Sequence, residues 1–356
     1  MSDSKKVKII SIGGGWVVNN RHLLALKQSG HFDVIGVISN DPKRAESTAG
    51  KHGVPHCATE LTFQGWQSEA EAVMIGTVPH VHHTLAKRAL ESGRHVLTEK
   101  PMTVDIRDAM DLDRIAKDKK RVLAVVHNFQ FSRAAHAFRR DLAAGRIGDI
   151  TSIYGVQLCN HKRNIPAWCD QLPLGLFYDE APHFYYLFRS LAGGDLTFMG
   201  ASVWKPHKSP PGGDKPQNTP RMVSGEYRAP AGYPVFLHIN FESSLTEWHV
   251  TVVGEKATAD IDVWRDIYVR LPNDGVHSAK DILWTSLTGT GQHFAGVLTG
   301  GLRYVTGRHL YGNDEVVARF YRAIQGEDSL QGMNPAEGLR VITMQHELIE
   351  KARYYD

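Results

Sequence analysis

From Val7 to Val126 the chain alternates short apolar runs with helix-period stretches, and a glycine triplet stands at the first junction. Val7–Ile12, Val34–Ile38, Ala72–Ile75, His95–Thr98 and Arg121–Val126 read as strands. The stretches through His22–Leu26, from Pro42 to about His52, Val81–Leu90 and Asp105–Lys117 read as helices. Pro42 suits a first helical turn, and Gly93 suits a stop. This alternation predicts a parallel sheet covered by helices on both faces. Right-handed crossovers then put a binding crevice beyond the C-terminal ends of the strands.

After His127 the pattern changes. A helix over Ala134–Ala144 is followed by strand-like runs at Ile150–Leu158, Phe198–Trp204, Met222–Tyr227, Val235–Phe241, Trp248–Val253 and Ala259–Val263. Their short connections predict a largely antiparallel sheet. Asp314–Gln325 and Pro335–Ala352 close the chain as helices. The fold class is therefore α/β plus α+β, with domains at 1–126 and 127–356. Five of the 16 prolines fall between Pro206 and Pro220, so that stretch reads as a surface loop or part of a lid.

Composition removes several functions. The 356 residues carry 41 Lys plus Arg against 38 Asp plus Glu, without a basic block, which argues against nucleic acid. No apolar stretch approaches membrane-spanning length. Ile9 and Ile10 open a strand-length run rather than a signal segment. Three cysteines (Cys57, Cys159, Cys169) without a CxxC pair suggest a reducing, cytoplasmic home and no zinc site. His80, His82 and His83 crowd together, but His82 and His83 cannot share a helix face, so no metal is expected.

Gly13-Gly14-Gly15 lies between a strand and a helix, where backbone N–H groups can approach a pyrophosphate. The G-x-G-x-x-G fingerprint is incomplete, because Val18 stands third. A tight turn also needs glycine without any nucleotide, so this feature alone leaves both readings open. Further motifs follow in order: Thr77-Val78-Pro79-His80-Val81-His82-His83, then Glu99-Lys100-Pro101 at a strand end. His127-Asn128-Phe129 comes next, then Asp179-Glu180-Ala181-Pro182-His183. This series resembles the Gfo/Idh/MocA oxidoreductases, strongly over residues 7–190 and loosely beyond. Val78, inserted between threonine and proline, is a departure.

The resemblance implies a Rossmann domain, a second domain on an open sheet, and hydride transfer between nicotinamide and a sugar, sugar derivative or polyol. It casts Lys100 as the group that hydrogen-bonds the reacting oxygen and His183 as the proton acceptor, a residue type that titrates near neutral pH. Asp179, one helical turn before His183, shares its face and can contact substrate. Gly13, Gly15, Trp16, Ser39, Asn40, Lys43, Arg44, Thr77, Pro79, His80, His83, Glu99, Lys100 and Asn128 are the expected cofactor residues. His161, Lys162, Arg163 and Trp168 join Lys100, Asp179 and His183 as expected substrate residues. The basic trio suits an acidic or phosphorylated sugar, and a solvated loop explains it equally. Trp264, Arg265, Tyr233 and His238 are weaker candidates on the substrate side.

Ser39 occupies the place where an NAD-type crevice offers a carboxylate, and Lys43 and Arg44 follow it. NADP is thus expected over NAD, with Asp41 as the counter-argument. The resemblance also implies a homodimer or homotetramer formed through the second sheet. Two other activities share the motifs. One is an enzyme that keeps and recycles its cofactor during elimination, epimerisation or glycoside cleavage. The other is a non-catalytic, dinucleotide-sensing regulator.

Overall fold

The computed structural model describes residues 5–163, 165–206 and 218–356. Most of the proline-rich stretch, and Asn164, lie outside the described residues. The chain forms two compact units.

The first unit is built on six parallel strands: β1 (Val7–Ile12), β2 (Phe32–Ile38), β3 (His56–Ala58), β4 (Ala72–Ile75), β5 (His95–Thr98) and β6 (Leu123–Val125). Their order is β3-β2-β1-β4-β5-β6, the doubly wound arrangement. Helices α1 (Leu23–Ser29), α2 (Pro42–His52), α3 (His82–Glu91) and α4 (Ile106–Asp118) connect them. A π-helical turn, Val18–His22, leads into α1. The core is aliphatic: Ile10, Ile12, Val73, Ile75, Val96, Leu112 and Val125 are all buried in one cluster. Val18 explains the incomplete fingerprint. A Cβ on Gly76 would stand 2.4 Å from Val18 Cγ2, so the small residue that permits close packing sits on β4's end instead of the helix.

The second unit opens with α5 (Arg133–Ala143), β7 (Ile150–Asn160) and α6 (Leu176–Ala192). It continues with β8 (Thr197–Trp204), β9 (Met222–Arg228), β10 (Pro234–Ser243), β11 (Glu247–Gly254), β12 (Ala257–Asp262) and β13 (Ile267–Pro272). Five of the seven strand pairings are antiparallel; β7–β10 is one parallel exception. Helix α6 packs into the sheet where Gly155 makes room, since a Cβ there would lie 2.3 Å from Phe188 Cζ. Tyr227 Oη donates to Tyr185 Oη (3.0 Å) inside this core.

A 27-residue helix, α7 (Ala279–Val305), follows β13. The sequence predicts no element there, because glycines at 289, 291, 296, 300 and 301 and several threonines lower helix propensity. Glycine is what the packing uses. A Cβ on Gly296 would stand 2.6 Å from Ile267 Cγ2. The edge strand is also satisfied: Gln292 Oε1 accepts from the Arg270 N–H and Gln292 Nε2 donates to the Arg270 carbonyl, both at 2.9 Å. Among the described residues no helix is long and apolar enough to cross a membrane.

The chain then forms α8 (Asn313–Ile324), α9 (Pro335–Lys351) and β14 (Arg353–Tyr355), which extends the second sheet at β8. Gly312–Thr343 belongs to the first unit, whereas the sequence pattern places all of 127–356 in the second. The reason is aromatic and aliphatic packing far apart in sequence. Phe320 stacks on Phe32, Tyr321 stacks on His31 at 4.3 Å, and Ile342 enters the core of the first sheet.

Candidate active site

In the first unit the ends of β1, β2 and β4 converge on the glycine turn. Gly13 N–H donates to Ile38 O (2.7 Å), and Gly76 N–H donates to Ile12 O (2.8 Å). Gly13 has φ +114°, and a Cβ on it would lie 2.3 Å from the Gly76 carbonyl oxygen. Only glycine meets both conditions. Nothing lies within 4 Å of a Cβ built on Gly15, so the turn is open at that residue. That opening fits the close approach of a dinucleotide pyrophosphate. Asn19, given no role in the sequence reading, pins the turn: its Nδ2 donates to the Gly14 (3.0 Å) and Gly15 (3.1 Å) carbonyls. Trp16 is exposed, with the Arg21 guanidinium 5.3 Å from its ring centre.

Ser39 is buried, while Asn40 and Lys43 are exposed. Asp41 caps α2 by accepting the Arg44 N–H (3.3 Å), and its other oxygen is 3.8 Å from Arg44 Nε. The aliphatic stem of Arg44 lies against Gly14, 2.6 Å from where a Cβ would stand.

Strand β5 ends in the Glu99-Lys100 pair. Glu99 N–H donates to Ile75 O (2.8 Å). Its carboxylate accepts from His22 Nε2 at 2.7 Å and from the Lys100 N–H at 3.0 Å. Burial alone would raise this carboxyl. The His22 hydrogen bond and charge, together with Lys100, overcome burial and hold it at about 2. Glu99 therefore anchors the backbone of Lys100. The partner, His22, is buried on the π-helical turn, and the sequence, which puts it in the first helix, gives it no role. Residue spacing for a regular helix hides that placement.

The downward shift stabilises the fold above the ordinary carboxylate range, and the contribution is lost as pH falls toward 2. It is worth at most ~3 kcal/mol. His22→Ala is expected to lower the urea midpoint at pH 7 and to flatten its dependence between pH 5 and pH 3. Parallel wild-type and variant pH profiles would reject the pairing.

Two histidines separate at the start of α3. His82 is buried, with Nδ1 2.8 Å from Pro101 O and Nε2 3.2 Å from Thr77 O, so it ties the Thr77-Val78-Pro79 turn to the segment after Lys100. His83 instead faces α4, where Nε2 meets Asp111 at 3.1 Å. The structure thus joins His82 to this group and leaves His83 outside it. His80 is half-buried, and Asn128 is buried after β6.

In the second unit His183 sits on α6 within a ring of aromatics. Its centroid is 4.8 Å from Phe129 and 5.3 Å from Trp248. Its Nδ1 is 2.7 Å from Tyr186 Oη, which also accepts the Phe129 N–H (3.2 Å). Tyr186 fixes the imidazole and could not be singled out in an aromatic-rich stretch. Asp179, half-buried, is in the first turn of α6. The indole nitrogens of Trp248 and Trp264, whose rings meet at 5.7 Å, are buried without a hydrogen-bond partner among the described residues.

The basic trio is not one cationic patch. Arg163 is 2.9 Å from the buried Glu180, which also accepts from Gln157 (3.2 Å), and this carboxylate raises the guanidinium's pKa further. His161 faces the Ser243 carbonyl at 3.1 Å, Lys162 is exposed, and Trp168 is half-buried on a 3₁₀ turn. Arg265 clamps Glu247 and Asp262 at 2.7 Å. Those two carboxylates and His249 lie close enough to share a metal. Asp260, despite some burial, raises His249 to about 9, so at neutral pH its ring is a cation in an ion-pair network. His238 is 2.9 Å from Ser224 Oγ, and Tyr233 is half-buried beside β10.

Residues 7–127 match the model of the oxidoreductase family GFO_IDH_MocA, with an NAD-binding Rossmann fold. Those residues carry the six parallel strands of the first unit. The chain is 34% identical to the uncharacterized oxidoreductase YdgJ of Escherichia coli over 116 residues, 32% of this chain and 33% of that protein. Across four such relatives the matched segment spans 33% to 59% of their lengths. A longer match, 25% identical over 76% of this chain and 81% of the other, is dTDP-3,4-didehydro-2,6-dideoxy-alpha-D-glucose 3-reductase of Saccharopolyspora spinosa. Levoglucosan dehydrogenase, solved in complex with NADH and levoglucosan, has the same fold over 98% of this chain and 97% of its own (TM-score 0.73, 19% identity).

Proposed function

We propose that the chain is an NAD(P)-dependent oxidoreductase moving hydride between nicotinamide and a hydroxyl or keto carbon of a sugar, sugar derivative or polyol. One observation carries the reading. The open glycine turn and the anchored Glu99-Lys100 pair stand at strand ends of one parallel sheet, where such sheets bind ligands. The sugar-acting relative and structural neighbour support the substrate class.

Bound nicotinamide supplies the hydride carrier; the chain supplies the rest. Lys100 hydrogen-bonds the reacting oxygen and stabilises its developing charge. His183, oriented by Tyr186, exchanges the hydroxyl proton, and Asp179 holds a neighbouring substrate group. Gly13, Gly15, Trp16, Thr77, Pro79, His80 and Asn128 surround the cofactor, with His82 rather than His83 holding the Thr77 turn in place. The exposed sheet face, where Tyr154 stacks on Phe236 at 5.2 Å, pairs chains into a homodimer or homotetramer. A cytoplasmic location accords with three cysteines that form no disulfide. The test is a screen of sugars, sugar acids, inositols and nucleotide sugars for net absorbance change of reduced nicotinamide. Cofactor that binds but never turns over would favour the recycling or sensing alternatives.

The cofactor is NADP. No carboxylate stands at Ser39, Asp41 is committed to capping α2, and Arg44 already lies across the glycine turn. A 2′-phosphate would meet Ser39, Asn40 and the cations Lys43 and Arg44. NADPH is expected to bind more tightly than NADH. Arg44→Ala should cost NADPH about tenfold while sparing NADH, and Ser39→Asp should reverse the preference. Titration by quenching of intrinsic fluorescence reads both. Wild-type preference for NADH, unaltered by either variant, rejects the assignment.

A further inference from the structure

Helix α7 is inverted relative to an ordinary surface helix. The side against β13 is small or polar: Thr285, Gly289, Gln292, Gly296 and Gly300. The opposite side is large and apolar. Leu283, Leu287, Phe294, Leu298 and Val305 recur at steps of four and seven, which places them within about 60° of one another at 3.6 residues per turn. Those five, with Trp284, Leu302 and Tyr304, are each more than half exposed. At those exposed fractions they present together roughly 1,000 Å² of surface, most of it apolar. The largest patch on a typical monomer is ~300–600 Å², and each side of a standard interface contributes ~800 Å².

We propose that this face packs against the same face of a second copy of the chain, with the two α7 helices antiparallel about a twofold axis. Two observations select that occupant. The area on one chain is what one side of a stable dimer needs. An isologous antiparallel pair also opposes the helix dipoles. Gly291 and Gly301 border the apolar stripe and let the two backbones come close. A lipid surface fits less well, because no Lys or Arg lies between Asp281 and Arg303, and interfacial helices carry cations on the polar face. This contact is separate from the exposed sheet face and does not depend on the proposed activity.

The decisive measurement is the mass of the full chain by light scattering at micromolar concentration, beside a Leu287→Glu/Phe294→Glu double variant. The variant's mass should be half that of the wild type, with its circular dichroism unchanged. Geometry is read separately by cross-linking in a Cys57→Ser background, which leaves only buried cysteines. Thr290→Cys, near the axis, should give a covalent dimer with a short bis-maleimide, and Val305→Cys, at the helix end, should not. This second experiment decides alone if the double variant fails to fold. Equal masses for wild type and folded variant overturn the proposal, as does a cross-link at neither position. Cross-links at both positions overturn the antiparallel arrangement. Co-sedimentation of the wild type with phosphatidylcholine–phosphatidylglycerol vesicles, abolished in the variant, would assign the face to a membrane instead.

Discussion

Replacing Lys100 by methionine is expected to lower kcat by about a hundredfold or more, and His183→Ala by a similar factor. Methionine keeps the length of the stem and removes both the charge and the N–H donors. The surroundings of Lys100 argue that little else moves. Its N–H is held by Glu99, Glu99 is held by His22, and the next carbonyl is held by His82. The loss should therefore appear in kcat, with dinucleotide affinity changed by no more than a few fold. His183→Ala opens a cavity among Phe129, Trp248 and Tyr186, so its melting temperature must be recorded beside its rate. Tyr186→Phe separates orientation from proton transfer. It keeps the ring and removes the hydroxyl that meets Nδ1, and a shift of the pH–rate profile with a smaller loss of kcat is expected. Near-wild-type turnover in both Lys100→Met and His183→Ala, on a substrate found by the screen, would falsify the assignment of these residues.

The first unit was legible because its information is local. Buried parallel strands are short apolar runs, and Asp41 and Asp105 cap the helices that follow them. Strand β3 escaped notice because His56, Cys57 and Ala58 form a three-residue edge with little burial. Glu99 and Lys100 were visible through their motif, yet what holds them was not. His22 reaches Glu99 from a π-helical turn, and His82 joins two loops by bonding to backbone carbonyls that no residue pattern displays. Arg163 shows the converse. Its charge suggested an anion site, but the buried Glu180 that satisfies it lies on a different element. Helix α7 was hidden by its own design, since the glycines that let it lie on β13 are the residues that argue against a helix. The return of α8 to the first sheet rests on Phe320 and Tyr321 meeting Phe32 and His31, contacts nearly 300 residues apart in the chain.

Gly13→Ala and Gly15→Ala should behave differently, and the difference separates the turn's structural role from its role toward a dinucleotide. At Gly13 a methyl group must accept φ +114° and a position 2.3 Å from the Gly76 carbonyl oxygen. Neither can be relieved by rotating a side chain, because both partners are backbone. Strain and overpacking each cost about 1–3 kcal/mol, so a loss of roughly 3 kcal/mol or more is expected, together with at least tenfold weaker dinucleotide binding. At Gly15 the added Cβ meets nothing within 4 Å, and its backbone is outside the positive-φ region. Stability should therefore stay within about 0.5 kcal/mol of wild type. Binding should still fall, since the methyl group occupies the opening through which a pyrophosphate reaches the backbone N–H groups. Urea denaturation and dinucleotide titration on the two variants provide the comparison. A Gly15→Ala protein that binds NADP(H) and NAD(H) as well as the wild type would mean that the open side of the turn faces no phosphate, leaving Gly13 as a purely architectural glycine.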